Sequence, residues 1–533
     1  MAGVSALNRA LNRVPRRAEG RVSAQLKDTF VDSGVAAALE SIDHQVLYGR
    51  RGTGKTHALN YLAATRLDEG DIGIYIDLRI IGSAQGLFDS ARASALDRTS
   101  RLLVNLLTEM HDVIMEAVLA DDQLIADATI AKKLDYLLDS LKVSVVETAV
   151  ETTTDVEKSK SRKGFLGFKL GSSLTASADA GGELTSSQKD RQSQKRTGEP
   201  RLSLNFGEIA RSLRELATSL RARRVWLLLD EWSSVPLDMQ PYLGEFLIRC
   251  VTPVQAFTVK IAAIEQQTNF RAVIGDGAPI GIELGADFAA NINLDDFMVF
   301  EQDQKRAPEF FRGLFYKHLT AGAEAEEQVP GLHSERDFIS IGFTNARVFD
   351  ELVRASEGVP RDAINIAAKA AVRSGERAIS MPEVRRAARQ WFQTDKESAL
   401  RAVPGGQELL NWVIDKVIRE KRARGFLVNQ RSAGAPLLTQ LFDARVLHLV
   451  RKGYSAQDEP GERYDVYVID YGAYVDLINT QNAPQGVLPV DLDAGDVDDS
   501  DGGWVEVPGQ DLRALRRAIL DIEEFLVANP QYR

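Results

Sequence analysis

The chain reads as an α/β protein: a three-layer αβα core on a parallel sheet, then a helical lid-like segment and a small α+β module. Three observations carry this. Between residues 30 and about 300, apolar runs of strand length recur at 45–48, 74–78, 225–229, 258–264 and 290–294, separated by helical patterns. Continuous apolar runs of this length suit strands buried on both faces, as in a parallel sheet covered by helices. From about 303 to 397 the strand patterns give way to helical ones, and Ser380-Met381-Pro382-Glu383 is a capping-box start for the last of these helices. From 405 to 480 a helix precedes a short strand, a helix pair and a returning strand.

The bulk numbers set bounds. A chain of 533 residues is too long for one ordinary core and implies two to four domains. Hydrophobic residues at 44% and charged residues at 26% are an ordinary globular mixture. A single cysteine, Cys250, excludes an intramolecular disulfide and suits a reducing compartment. No apolar run reaches bilayer-spanning length, and the Arg-rich start has no apolar signal core. A cytoplasmic protein without membrane contact is therefore expected. The net charge of -11 argues against nucleic-acid binding by the whole surface, while leaving room for local basic patches.

Residues 1–25 form a basic arm, with Arg9, Arg13, Arg16, Arg17 and Arg21 against Glu19. Its helical spacing suits either a docking terminal helix or a poorly ordered tail. The core is expected over 26–302, interrupted at about 143–200 by a stretch rich in Ser, Thr, Gly, Lys and Glu. Parts of that stretch alternate in the strand manner, so an inserted β-ribbon and plain disorder are both open. Phe165, Leu166 and Phe168 would make such a ribbon a surface for a protein partner.

The sharpest motif is Gly49-Arg50-Arg51-Gly52-Thr53-Gly54-Lys55-Thr56, which fits the P-loop pattern G-x-x-x-x-G-K-[ST]. Glycines at 49, 52 and 54 let the backbone curl so that its N–H groups, with that of Thr53, face phosphate oxygens. Lys55 supplies positive charge to the terminal phosphates, and Thr56 offers a hydroxyl to Mg²⁺. The following helix, beginning near His57, aims its positive dipole end at the same place. A strand before the loop and an apolar helix after it supply the context the motif requires.

The second half of the site is Val225-Trp226-Leu227-Leu228-Leu229-Asp230-Glu231. An apolar strand ends in two carboxylates at its C-terminal edge, where ligands of open α/β sheets bind. Asp230 suits a water-mediated hold on Mg²⁺. Glu231 suits the general base that polarises an attacking water. The strand carrying the loop and the strand carrying Asp230 are expected to be neighbours in one sheet. A third piece is Gly358-Val359-Pro360-Arg361. Pro360 suits the first position of a helix, Gly358 permits a tight approach, and Arg361 in the first turn can reach a γ-phosphate. A surface arginine after a helix-breaking turn is the plainer alternative.

Together these pieces resemble the AAA+ superfamily, nearest to its origin-recognition and initiator clade and to the related signalling ATPases called STAND proteins. The resemblance covers about residues 30–395, and more weakly the stretch to 480. It implies a P-loop ATPase core using ATP and Mg²⁺, a helical lid over 303–397 with Arg361 in the sensor-2 position, homo-oligomeric assembly, and a winged-helix-like domain over 405–480. It assigns Lys55, Glu231 and Arg361 to catalysis, and Gly49, Gly52, Thr53, Gly54, Lys55, Thr56, His57 and Arg361 to nucleotide binding. Thr56 and Asp230 are assigned to the metal. Two departures stand out. Lys55 and Asp230 lie 175 positions apart, wider than the family usually allows. The sensor-1 residue, often Asn, is here replaced by Glu265-Gln266-Gln267, where the Gln266 amide offers a substitute. Arg271 lies where a neighbour-supplied arginine finger would be sought.

Winged helices bind DNA in some proteins and proteins in others. Residues 405–480 hold ten basic and ten acidic side chains, so charge does not choose. Their one basic cluster is Lys416, Arg419, Lys421, Arg422 and Arg424. Residues 481–533 read as an acidic linker and an amphipathic helix from about 511 to 527. The expected activity is hydrolysis of ATP to ADP and phosphate, driving conformational change or assembly, with DNA as one candidate partner. The alternative is a nucleotide-gated signalling or defence scaffold that does not touch DNA. A small-molecule kinase is disfavoured, because no second substrate site is evident.

Overall fold

A computed structural model describes residues 2–16, 23–81, 94–141, 204–273, 277, 279–297, 305–322, 328–455, 461–478 and 518–532. The described residues of Met1–Leu141 and Asn205–Arg533 form one compact unit. The insertion expected at about 143–200 and the acidic part of the linker lie outside the described residues.

Five strands form one all-parallel sheet: β1 Gln45–Tyr48, β2 Ile72–Asp77, β3 Val225–Asp230, β4 Phe257–Ala263 and β7 Ala289–Asn293. A small antiparallel hairpin, β5 Arg271–Val273 and β6 Pro279–Gly281, stands apart from it. The sheet order is β2-β3-β4-β1-β7. This corrects one expectation. The loop strand β1 and the acidic strand β3 are not neighbours, because β4 pairs with both. Burial marks β1, β3 and β4 alike as interior strands, since every residue of each is buried, and so the apolar runs do not say which of them lies between the others. Even Lys260 is carried inside. Its ammonium runs out to the carbonyls of Ser41 and Asp43 at 2.7 and 2.9 Å, and burial pushes its pKa down to about 7.

Helices cover the sheet because their apolar stripes match it. The helix Lys55–Asp68 lays Leu59 and Leu62 against Trp226, Leu228 and Ala262. Between β2 and β3 the chain makes the helices Ala95–Leu119, Asp122–Ile125, Ala128–Ser140 and Phe206–Ser219. Side chains of Ser94, Asp121, Asp127 and Asn205 cap their N-termini and satisfy N–H groups that no helical carbonyl can reach.

The segment expected to form the lid holds the helices Arg306–Thr320, Glu335–Gly342, Ala346–Ala355, Pro360–Ser374 and Met381–Trp391, and is called the lid segment below. The capping box expected at Ser380 is formed, with the Ser380 N–H donating to Glu383 at 2.7 Å. The basic arm adopts the docking alternative over its described part. Helix Ala2–Arg13 buries Leu7 and Leu11 in the lid core, with Val14 just beyond it, and Asn8 donates to the carbonyls of Gly375 and Arg377.

In the C-terminal module, helix Gly406–Ile414 leads through Asp415–Glu420 to β8 Gly425–Asn429. The expected helix pair over 436–450 is instead one helix, Pro436–Asp443, followed by β9 Leu447–Ser455. A one-turn helix, Gln430–Ala433, precedes it. The residues 447–450 are apolar enough to suit either state, and pairing with β10 Arg463–Ile469 makes them a strand. Of the expected final helix only 518 onward is described, and there the helix is Ile522–Ala528, because β11 Ile519–Leu520 just before it pairs in parallel with β8.

Buried charge ties this module to the lid. Lys396 lies between Asp362, at 2.7 Å, and Asp470, which also accepts from His448 at 3.0 Å. Burial works against a charged Lys396, but the two carboxylates outweigh it and hold the ammonium above its ordinary range. Burial pushes His448 down to about 4. Glu351 is bound by Arg385 at 2.8 Å, by Arg354 at 2.9 Å and by the Tyr471 hydroxyl. Such groups hold together only as complete sets, because removal of one partner leaves an uncompensated buried charge. Among the described residues no helix is long and apolar enough to cross a membrane.

Candidate functional site

The loop at the end of β1 turns on residues that only glycine tolerates well. Gly52 and Gly54 have φ of 90° and 101°, in the left-handed region. Gly54 caps the helix that begins at Lys55, so the first-turn N–H groups and positive end of that helix face the cavity that Gly54, Lys55 and Thr56 line. Thr53 donates its hydroxyl to the Arg50 carbonyl at 2.9 Å and tightens the turn. Lys55 Nζ donates to the carbonyls of Gly49 and Arg50 at 2.7 and 3.0 Å. Burial lowers the Lys55 pKa, against the pull of the Glu231 and Asp230 carboxylates. An ammonium held where water is scarce interacts strongly with any anion that arrives.

Asp230 is fully buried at the end of β3. Its Oδ2 accepts from the Thr56 hydroxyl at 2.6 Å and from the Tyr75 hydroxyl at 2.8 Å, and its Oδ1 from the Glu231 N–H at 2.8 Å. β4 separates the two parent strands by two strand spacings, about 10 Å. Thr56 closes that gap from the first turn of the helix above. Glu231 adopts φ 55° and ψ 39°, a left-handed conformation unusual for a residue with a side chain. Arg79, just past β2, approaches Glu231 at 3.7 Å while pairing with Asp77.

The lid supplies the third wall. The N–H of Arg361 donates to the Gly52 carbonyl at 3.3 Å, and a Cβ on Gly52 would lie 2.9 Å from Arg361 Cβ. Glycine at 52 is thus required by this approach as well as by its backbone angle. A cavity of about 280 Å³ results. Lys55, Thr56, His57, Glu231 and Arg361 all line it, with Gly52 and Gly54, and Asp230 stands directly behind Thr56. Its other side is walled by Pro15, Arg16, Leu26, Thr29, His318 and Ile364, drawn from the arm, the segment before β1 and the lid. None of these six carried a site signal in the sequence, since apolar and lone polar residues acquire such a role only by position. Tyr75 was missed in the same way, while Asp77-Leu78-Arg79 at the end of β2 reads in sequence as structural rather than catalytic, and Arg79 lines the cavity. Gly49 and Thr53 shape the loop from beneath: a Cβ on Gly49 would meet Thr53 Oγ1 at 2.6 Å.

The donor set fits Mg²⁺. Among the described residues no three or more His, Cys, Asp or Glu side chains cluster in a metal-binding manner. Mg²⁺ asks for no such cage, since it keeps several waters and takes one or two protein oxygens besides the substrate phosphates. The Thr56 hydroxyl and the Asp230 carboxylate are a matching pair of hard oxygens. Gln266 is half-buried in the turn Glu265–Gln267 after β4 and is not among the described residues lining the cavity. Arg271 lies on the β5–β6 hairpin, paired with Glu283 at 3.0 Å.

On the expectation from the sequence that this cavity holds ATP, replacing Arg361 by Ala should bring ATP and ADP affinities together and lower turnover, because Arg361 lines the cavity with Lys55 from a helix start. Titration of both nucleotides checks this. An undiminished preference for ATP would remove Arg361 from the site.

No protein-family profile matches this chain, and no curated protein matches it.

Proposed function

We propose that this chain is a magnesium-dependent ATPase of the AAA+ type, coupling ATP binding and hydrolysis to conformational change or assembly. One observation carries the reading. A buried lysine, a hydroxyl–carboxylate pair at 2.6 Å, a strained glutamate and a lid arginine converge on one cavity at the C-terminal edge of a parallel sheet. In this reading Lys55 and the loop N–H groups hold the β- and γ-phosphates. Thr56 and Asp230 hold Mg²⁺, which when bound neutralises phosphate charge. Glu231 takes a proton from the attacking water, and Arg361 meets the γ-phosphate from the lid. The cavity wall of Leu26, Pro15 and Ile364 suits the apolar faces of a nucleoside.

A second reading, a STAND-like scaffold without direct DNA contact, is favoured by the state of the basic cluster. Lys416 pairs with Glu420 at 3.4 Å, Arg419 with Asp415 at 2.9 Å and Arg424 with Glu357 at 2.6 Å. Three of the five cations thus already face carboxylates, which weakens a continuous phosphate-binding surface. The test is ATP turnover by the purified chain with and without Mg²⁺, repeated with duplex DNA across a salt series. Absence of Mg²⁺-dependent ATP binding and turnover sinks both readings. DNA-stimulated turnover with salt-sensitive retention selects the DNA-associated machine. ATP-dependent assembly indifferent to DNA selects the scaffold.

A further inference from the structure

Arg50, the second residue of the phosphate loop, is 6% exposed and bound at both ends. Its backbone N–H and its Nε donate to the two carboxylate oxygens of Asp295, just past β7, at 2.9 and 2.8 Å. Its Nη2 donates to the carbonyl of Glu357 at 2.8 Å. Glu357 is 2% exposed and stands four residues before Arg361. Its φ of 50°, followed by 75° at Gly358, makes the sharp turn that starts the helix Pro360–Ser374. Its carboxylate accepts from Arg424 at 2.6 Å. Arg424 in turn precedes β8, and its carbonyl accepts from the N–H of Ile469 at the end of β10. One residue therefore joins the loop, the lid and the C-terminal sheet. A separate bridge runs from Gln267, after β4, to Asp443 at 2.6 Å on the helix Pro436–Asp443.

We propose that Glu357 is a positioning residue of the nucleotide site, through which the state of the phosphate loop sets the seating of the C-terminal module. This rests on the reading of the loop as an ATP site. Lys55 Nζ donates to the carbonyl of Arg50 itself, so a phosphate that draws Lys55 away changes the hold on Arg50. Arg50 cannot absorb that change alone, because a close-packed, charge-paired interior shifts between discrete arrangements and does not deform smoothly. The shift reaches Glu357 through its carbonyl. It passes to the module through a carboxylate that cannot give up Arg424 without leaving a buried charge exposed to mismatch. The C-terminal module is thus the output of the ATPase within one chain.

The test uses the full chain, with Mg-ATP and Mg-ADP as ligands. Amide hydrogen exchange in 425–429 and 463–469 is measured with each nucleotide and with neither. The wild type is expected to show nucleotide-dependent protection in both strands. Arg424→Gln is expected to keep ATP binding, to abolish that dependence and to shift the ATP-to-ADP affinity ratio by about fivefold or more. Glu357→Gln is expected to abolish the dependence and shift the ratio likewise, and the double variant no more than either single. Arg424→Lys, which keeps the charge, is expected to restore part of the effect. A wild type that binds no ATP overturns the site reading, and the inference falls with it. A wild type that binds ATP with no change in either strand overturns the inference alone, as do single substitutions whose effects simply add. The wild-type exchange measurement decides the matter even where a variant fails to fold.

Discussion

Glu231→Gln is expected to bind ATP as the wild type does and to hydrolyse it about 10²-fold or more slowly. The amide preserves the size and the left-handed backbone of Glu231 but cannot accept the proton of the attacking water. Its neighbour Asp230 has a separate task, engaged by Thr56, Tyr75 and its own chain. The two carboxylates should therefore separate by phenotype. The variant's ATP-bound assemblies should outlive those of the wild type, which size-exclusion chromatography after ATP addition would reveal. A variant that loses Mg²⁺-dependent binding, while Asp230→Asn proves harmless, would show the roles to be exchanged.

Lys55→Ala is expected to abolish productive ATP binding or turnover while the chain stays folded. In the proposed reading the ammonium is the charge that meets the β- and γ-phosphates, and its loss leaves theirs uncompensated. The folded state should survive, because the polar contacts Lys55 contributes are hydrogen bonds to two carbonyls of its own loop, Gly49 and Arg50. Losing those bonds costs on the order of 1–3 kcal/mol, small for a core of this size. Nucleotide affinity, turnover and thermal unfolding should be measured on one preparation. Unchanged turnover would sink the site assignment.

Much of the fold was legible because strand and helix are local properties. The run 225–229 appears as β3 with one residue added, and 45–48 as β1 without change. An apolar run of strand length bounded by polar residues has few other ways to bury itself. The helix pair expected over 436–450 failed at its second half for the same reason in reverse. Leu447, His448, Leu449 and Val450 have no local preference strong enough to resist the edge offered by β10. The glycine spacing of the loop and the paired carboxylates were visible because each depends on consecutive residues.

What lay beyond the sequence is whatever depends on which segments meet. Sheet order is one case: apolar runs state that strands are buried and say nothing of sequence-distant neighbours, so the insertion of β4 between β1 and β3 was misjudged. The walls of the cavity are another, since Arg16, Leu26, His318 and Arg79 have ordinary identities and acquire meaning from the lid and arm packed around them. Arg424 shows the limit most clearly. In sequence it belongs to a basic cluster open to solvent or DNA, whereas in the fold it turns inward to a buried glutamate 67 positions earlier. The sequence by itself determined the mixed α/β class, the main strand segments and the glycine turn of the loop, because backbone angles, capping and burial periodicity act over a few residues. Tertiary structure alone decided strand order, the shape of the cavity and the partner of each buried charge, because those follow from the free energy of packing distant segments together, where a charge takes whichever counter-ion the fold brings within reach.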